Sequence, residues 1–133
     1  SLDPLMRGDS VLDVGCGAGF DTLAAAFMTG PEGKAIGLDM SREMILQAAR
    51  NLSAVGIKNV EFFVGDGAVL SFGEHTFDLI ISNGAYNLMF DKPAAMAEAF
   101  RILKPGGRLQ ICDMSLDESL SAETIQNLDA WSQ

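Results

Sequence analysis

Positive charge is scarce in this chain. Nine Lys and Arg stand against eighteen Asp and Glu, giving a formal net charge of −9 over 133 residues. The few cations are scattered, so no basic stripe offers a footprint for a polyanion, and the net charge repels one. DNA and RNA are therefore not expected as partners, while a small nucleotide stays open. Cysteine is scarce too: Cys16 and Cys112 lie far apart. Neither has a second cysteine at ligand spacing, so no disulfide framework, zinc site or other metal site is expected. A reducing, cytoplasmic setting is the default for such a sequence. Long apolar runs are missing, each being broken by Gly, Asp or Asn before membrane-spanning length, and no membrane association is expected. Ser1-Leu2-Asp3-Pro4 lacks a basic region followed by an apolar one, so no signal peptide is expected either.

What is present suits one globular domain over residues 1–133, with 48% apolar and 20% charged residues. Strands are expected at 10–14, 34–38, 59–64, 77–82 and 108–112. Helices are expected over 20–28, from a Ser41 cap to Gly56, and from an Asp91 cap to Leu103. Met44, Ile45, Ala48, Ala49, Leu52 and Val55 recur at helical spacing on one face of the second. Lys104-Pro105-Gly106-Gly107 reads as a turn, and 121–131 as the start of another helix. Strands that alternate with helices and read as buried on both faces form a parallel sheet covered on each side. Right-handed crossovers then predict an α/β, Rossmann-like doubly wound sheet of order 3-2-1-4-5. Ligands of such sheets bind beyond the C-terminal strand ends, near the switch point between strands one and four.

Those strand ends carry the candidate residues. After strand one come Asp13 and Gly15-Cys16-Gly17-Ala18-Gly19, then Phe20 and an alanine-rich helix. After strand two comes Asp39, after strand three Asp66-Gly67, and after strand four Asn83-Gly84-Ala85-Tyr86. Two nucleotide signatures are missing. The G-x-G-x-x-G fingerprint fails, since the sixth position from Gly15 is Phe20, and no Gly-Lys-Ser/Thr marks a Walker A loop. A nicotinamide or flavin oxidoreductase is thus only a remote alternative. On the residues alone, Gly15 and Gly17 could serve a tight turn, Asp39 could cap beside Ser41, and Asp66 could be a turn residue. Asp78, at the start of strand four, reads as structural, and His75 as a solvated loop residue.

The pattern Asp13-x-Gly15-x-Gly17-x-Gly19 resembles motif I of class I S-adenosylmethionine-dependent methyltransferases. The resemblance continues through Ile36-Gly37-Leu38-Asp39-Met40-Ser41, Val64-Gly65-Asp66-Gly67 and Phe77-Asp78-Leu79-Ile80-Ile81-Ser82-Asn83. It closes with Leu103-Lys104-Pro105-Gly106-Gly107-Arg108-Leu109, so five motifs follow in the family's order and spacing. The resemblance implies S-adenosylmethionine as cofactor and S-adenosylhomocysteine as product. It implies that Gly15, Cys16 and Gly17 form the turn against the methionyl end, with Asp13 orienting that turn. Asp39 would accept both ribose hydroxyls, as a carboxylate's two oxygens suit a vicinal diol. Met40 would pack on adenine, Asp66 would accept its amino group, and the Gly67 amide would donate to a ring nitrogen. Asn83, Gly84, Ala85 and Tyr86 would lie beside the methyl group and the acceptor.

Within that superfamily the chain is most similar to arsenite methyltransferases and their small-molecule relatives, through Gly17 to Asp21, Ile81-Ser82-Asn83, Asn87-Leu88 and Glu98 to Leu109. The arsenite enzymes bind As(III) through thiols, one directly after the strand-four Asn. That position is Gly84 here, and neither Cys16 nor Cys112 is placed to replace it. The expectation is therefore methyl transfer to a small-molecule acceptor, with no catalytic base identified. The family fold continues beyond strand five with a helix, strand six and strand seven. The chain is thus expected to be the core of a larger protein, cut before strands six and seven, with strand five an exposed edge open to self-association. The alternative is a non-catalytic, cofactor-binding module.

Overall fold

The computed structural model describes residues 5–66, 71–83 and 92–112. Along the chain run β1 (Ser10–Val14), α1 (Phe20–Thr29), β2 (Lys34–Asp39), α2 (Arg42–Val55), β3 (Val60–Val64), β4 (Phe77–Asn83), α3 (Lys92–Ile102) and β5 (Leu103–Cys112). All four strand pairs are parallel, and the sheet order is β3-β2-β1-β4-β5. The doubly wound order is the expected one. β1 sits at the centre, flanked by β2 and β4, so the switch point opens beyond Val14.

Alternation along the strands sorts the core into two layers. Leu12, Val14, Ile36, Leu38 and Ile80 pack with Ala99 and Ile102 of α3 on one face. Val11, Ala35, Val60 and Leu79 pack with Leu23, Ala25 and Ala26 of α1 on the other. Both faces of the central strands are therefore dry, which is why these strands read as near-continuous apolar runs.

The two helices that frame the site are set by local chemistry. In α1, Thr22, Leu23, Ala25, Ala26 and Thr29 form the buried stripe, and small residues there let the helix lie close on β1. At its far end the Asn59 amide donates to the carbonyls of Ala26, at 3.0 Å, and Gly30, at 2.8 Å. Helix α2 starts where the Ser41 hydroxyl accepts the Met44 N–H at 3.2 Å. It stops at Gly56, whose φ of 72° is left-handed and whose N–H closes on the Leu52 carbonyl.

Two details differ from the sequence reading. Of the six apolar residues expected on one face of α2, Ile45 and Ala48 are buried and Leu52 is partly so, but Met44, Ala49 and Val55 are exposed. The helix covers a sheet edge, so only a narrow stripe meets β2 and β3. Strand β5 begins at Leu103 rather than 108. Phe77 pairs with Leu103 and Leu79 with Arg108, so the Lys-Pro-Gly-Gly turn is a bulge inside the strand. Gly106 takes the left-handed φ of 83° that the bulge needs. The Asp91 cap and the helix expected at 121–131 lie outside the described residues.

At the end remote from the switch point, Asp78 Oδ2 accepts the Ser10 N–H at 2.8 Å and the Lys104 ammonium at 3.1 Å. It thereby staples the starts of β1, β4 and β5.

Candidate functional site

The glycine turn between β1 and α1 is built by β2 and α2. The amides of Gly15 and Cys16 both donate to the Leu38 carbonyl, at 2.7 and 2.9 Å. The Gly17 amide donates to Asp39 Oδ2 at 2.9 Å. From α2, the Asn51 amide donates to the Ala18 carbonyl at 2.9 Å. Gly15, Gly17 and Gly19 all have left-handed φ, at 78°, 56° and 89°, which an L side chain adopts only with strain.

Gly17 and Gly19 do different work. A Cβ on Gly19 would sit 2.6 Å from the Phe62 ring and 3.0 Å from the Ala48 Cβ. Gly19 is thus the close-packing glycine that lets α1, α2 and β3 converge. A Cβ on Gly17 would meet nothing within 4 Å. Gly17 presents bare backbone to open space beside the first turn of α1, which has no side-chain cap. Such a turn can receive a ligand at a helix N-terminus, where N–H groups free of intrahelical partners and the helix dipole favour anionic atoms.

Beneath the turn lies Asp13, 1% exposed. Its Oδ2 accepts the Thr22 hydroxyl at 2.7 Å, while Oδ1 is buried with no hydrogen-bond partner. Burial pushes the carboxyl up to about 6, the Thr22 hydrogen bond acts against that rise, and the charges of Asp21 and Asp39 add to it. Burial likewise pushes the Cys16 thiol up to about 12, aided by Asp13 and Asp39. Cys16 is therefore a neutral thiol at physiological pH and no nucleophile.

Asp39, half-buried at the end of β2, uses both oxygens. Oδ1 accepts the Ser41 N–H at 2.8 Å while Oδ2 holds Gly17. Each oxygen keeps a second lone pair for a ligand hydroxyl. The next residue, Met40, is 66% exposed, a flexible apolar side chain open to a flat ring. Asp66 is exposed just past β3, and the Gly65 amide donates to the Asp39 carbonyl at 3.0 Å, tying the two strand ends together. Asp13, Gly15, Cys16, Gly17, Asp39, Met40 and Asp66 thus gather at one end of the sheet. Asn83 ends β4 at the same side. Gly67, Gly84, Ala85 and Tyr86 lie outside the described residues. Among the described residues no group of three His, Cys, Asp or Glu side chains could hold a metal ion.

Three residues escaped the sequence reading. Thr22 supplies the hydroxyl for Asp13; the stripe Thr22, Ala25, Ala26, Thr29 at helical spacing could have turned it inward. Asn51 holds the turn from three helical turns into α2, and no local pattern marks it. Ser82, 1% exposed, buries a hydroxyl with no hydrogen-bond partner near the crevice end of β4.

A parallel doubly wound sheet with a glycine turn and acidic residues at successive strand ends defines a class. The chain belongs to the methyltransferase domain family, which matches residues 5–133, and so to the class I S-adenosylmethionine-dependent methyltransferases. It is 41% identical over 107 residues to an arsenite methyltransferase of Halobacterium salinarum, covering 80% of this chain and 27% of that protein. It is 36% identical over 110 residues to a demethylmenaquinone methyltransferase of Lactococcus lactis, covering 83% and 44%. Among solved structures it resembles an arsenic(III) S-adenosylmethionine methyltransferase of Chlamydomonas reinhardtii. There the TM-score is 0.76 and the identity 31%, over 83% of this chain and 40% of that one. The chain therefore spans less than half the length of these relatives.

Proposed function

We propose that this chain is the cofactor-binding core of an S-adenosylmethionine-dependent methyltransferase acting on a small-molecule acceptor. The observation that carries the reading is the Gly17 cradle: left-handed bare backbone with open space beside it, fixed in place by Asp39. The residues present fit the cofactor. Gly15, Cys16 and Gly17 hold the methionyl end, with the charge of Asp13 beneath it. The spare lone pairs of Asp39 take the ribose hydroxyls, Met40 covers the adenine, and Asp66 with Gly67 reads its edge. By the family resemblance, Asn83, Gly84, Ala85 and Tyr86 belong to the acceptor side. Bound there, the cofactor supplies a methyl group activated by its sulfonium for in-line displacement. The chain's own part is alignment, which alone contributes strongly to such a step.

The acceptor we infer is a small molecule other than a thiol-bound arsenic. Cys16 is tied up in the turn, and the position after Asn83 is glycine. The same reading makes residues 1–133 a single core domain of a larger, cytoplasmic protein. It also leaves the β5 edge, where Ile111 is 42% exposed, open to self-association. The alternative reading is a non-catalytic segment that binds cofactor. Methyl transfer by this chain alone would overturn that one.

Thermal unfolding with S-adenosylhomocysteine, and with NAD as control, tests the proposal. Saturation at a hundred times Kd stabilises a protein by about 2.7 kcal/mol. For a domain of this size that raises Tm by on the order of 5–10 °C. A shift with NAD and none with S-adenosylhomocysteine sinks the proposal.

A further inference from the structure

Thr22 is fully buried in the first turn of α1, and its hydroxyl reaches Asp13 Oδ2 at 2.7 Å. Among the described residues no other side chain donates to Asp13 or brings it a positive charge. The titratable groups facing it are Asp21 from α1, Asp39 from β2 and the Cys16 thiol from the turn. The first two repel an anion and the third is neutral. From β4 the paired residue is Ile81, which is apolar. Oδ1 is buried without a hydrogen-bond partner. A buried carboxylate with one hydrogen bond is poorly compensated, and it is held ionised by whatever donor it has.

We propose that Thr22 is a positioning residue: its hydroxyl holds the Asp13 carboxylate ionised beneath the glycine turn and so sets the acid limit of cofactor binding. This rests on the reading of the turn given above, in which the methionyl end carries an ammonium group that a negative Asp13 attracts and a neutral one does not. Burial pushes Asp13 up to about 6, with the Thr22 hydrogen bond opposing the rise. Losing the donor therefore drives the carboxyl further up, towards neutral pH.

The test uses three substitutions. Thr22→Val keeps the shape and removes the donor, Thr22→Ala removes it with less crowding, and Thr22→Ser keeps it. Affinity for S-adenosylhomocysteine is measured by calorimetry from pH 5.5 to 8.5. The Asp13 carboxyl is titrated separately by carbon NMR in the free protein. In the unaltered chain, affinity falls as Asp13 protonates. In Thr22→Val and Thr22→Ala both midpoints rise together by about one pH unit, the equivalent of a roughly tenfold change in proton affinity. Their affinity is then about twofold weaker near pH 7 and several-fold weaker near pH 6, and it recovers towards pH 8.5, while Thr22→Ser restores the original profile. An affinity lowered by one factor at every pH, with the Asp13 midpoint unmoved, would show a merely structural role and overturn the proposal. If the unaltered chain binds no S-adenosylhomocysteine, the reading of the turn fails and the acid limit with it. The ligand-free titration of Asp13 distinguishes that failure from one of Thr22 alone.

Discussion

Asp39 reaches back 22 residues to take the Gly17 amide at 2.9 Å, so the residue assigned to the ribose also shapes the turn assigned to the methionyl end. Loss of binding in Asp39→Ala would therefore be ambiguous. The two roles separate when the ligand is changed as well as the protein. With S-adenosylhomocysteine, Asp39→Ala is expected to weaken binding more than about tenfold, since a charged hydrogen bond contributes roughly 1.5–3 kcal/mol. With the 2′-deoxy analogue the same substitution should cost clearly less, because one partner of the carboxylate is already gone. Equal losses for both ligands, read by calorimetry, would mean that Asp39 acts through the turn alone.

The glycines of the turn divide by what lies beside them. Gly56, at the end of α2, has left-handed φ and open space, so Gly56→Ala is the reference for backbone strain alone, about 1–2 kcal/mol. Gly19→Ala adds a collision with the Phe62 ring and the Ala48 methyl. Its cost in urea unfolding should exceed the reference by about 1–3 kcal/mol. Gly17→Ala should match the reference in stability, yet lose affinity for S-adenosylhomocysteine, because its methyl fills the cradle. A Gly17→Ala protein that binds as tightly as the unaltered chain would rule out that cradle as the ligand's place.

The parallel order and the strand-end acids were legible because each follows from local pattern. Apolar runs mark buried strands, Ser41 and Gly56 bracket α2, and loops after strands fall at one edge. What stayed hidden depends on distance along the chain. That Asn51 holds Ala18, 33 residues away, is set by how α2 lies across the turn, and no periodicity records it. The difference between Gly17 and Gly19 is also tertiary: both read as turn glycines, but only Gly19 has Phe62 against it. The buried α2 stripe is narrower than helical spacing implies, because spacing marks apolar residues without saying how much sheet lies beneath them. Met44 and Val55 remain exposed.

In its proposed place under the methionyl end, Asp13 sets stability against function. Its carboxyl is raised from 3.8 to about 6 in the folded chain, so the native state binds its proton more tightly than the unfolded state. The favourable contribution is full below 3.8 and is lost as pH rises through about 6. At pH 8 the ionised, buried group costs about 3 kcal/mol relative to its unfolded reference. Asparagine cannot ionise and escapes that cost, although its amide hydrogens bring a penalty that does not vary with pH. The advantage of Asp13→Asn over the unaltered chain should therefore be about 2 kcal/mol larger at pH 8 than at pH 4.5, measured by urea unfolding at both. The same variant should bind S-adenosylhomocysteine more weakly at pH 8, having lost the charge under the turn. A stability difference that stays constant between the two pH values would show that the carboxyl is not raised by burial. A variant that is more stable at pH 8 and binds as well as the unaltered chain would show that the buried charge has no part in holding the cofactor.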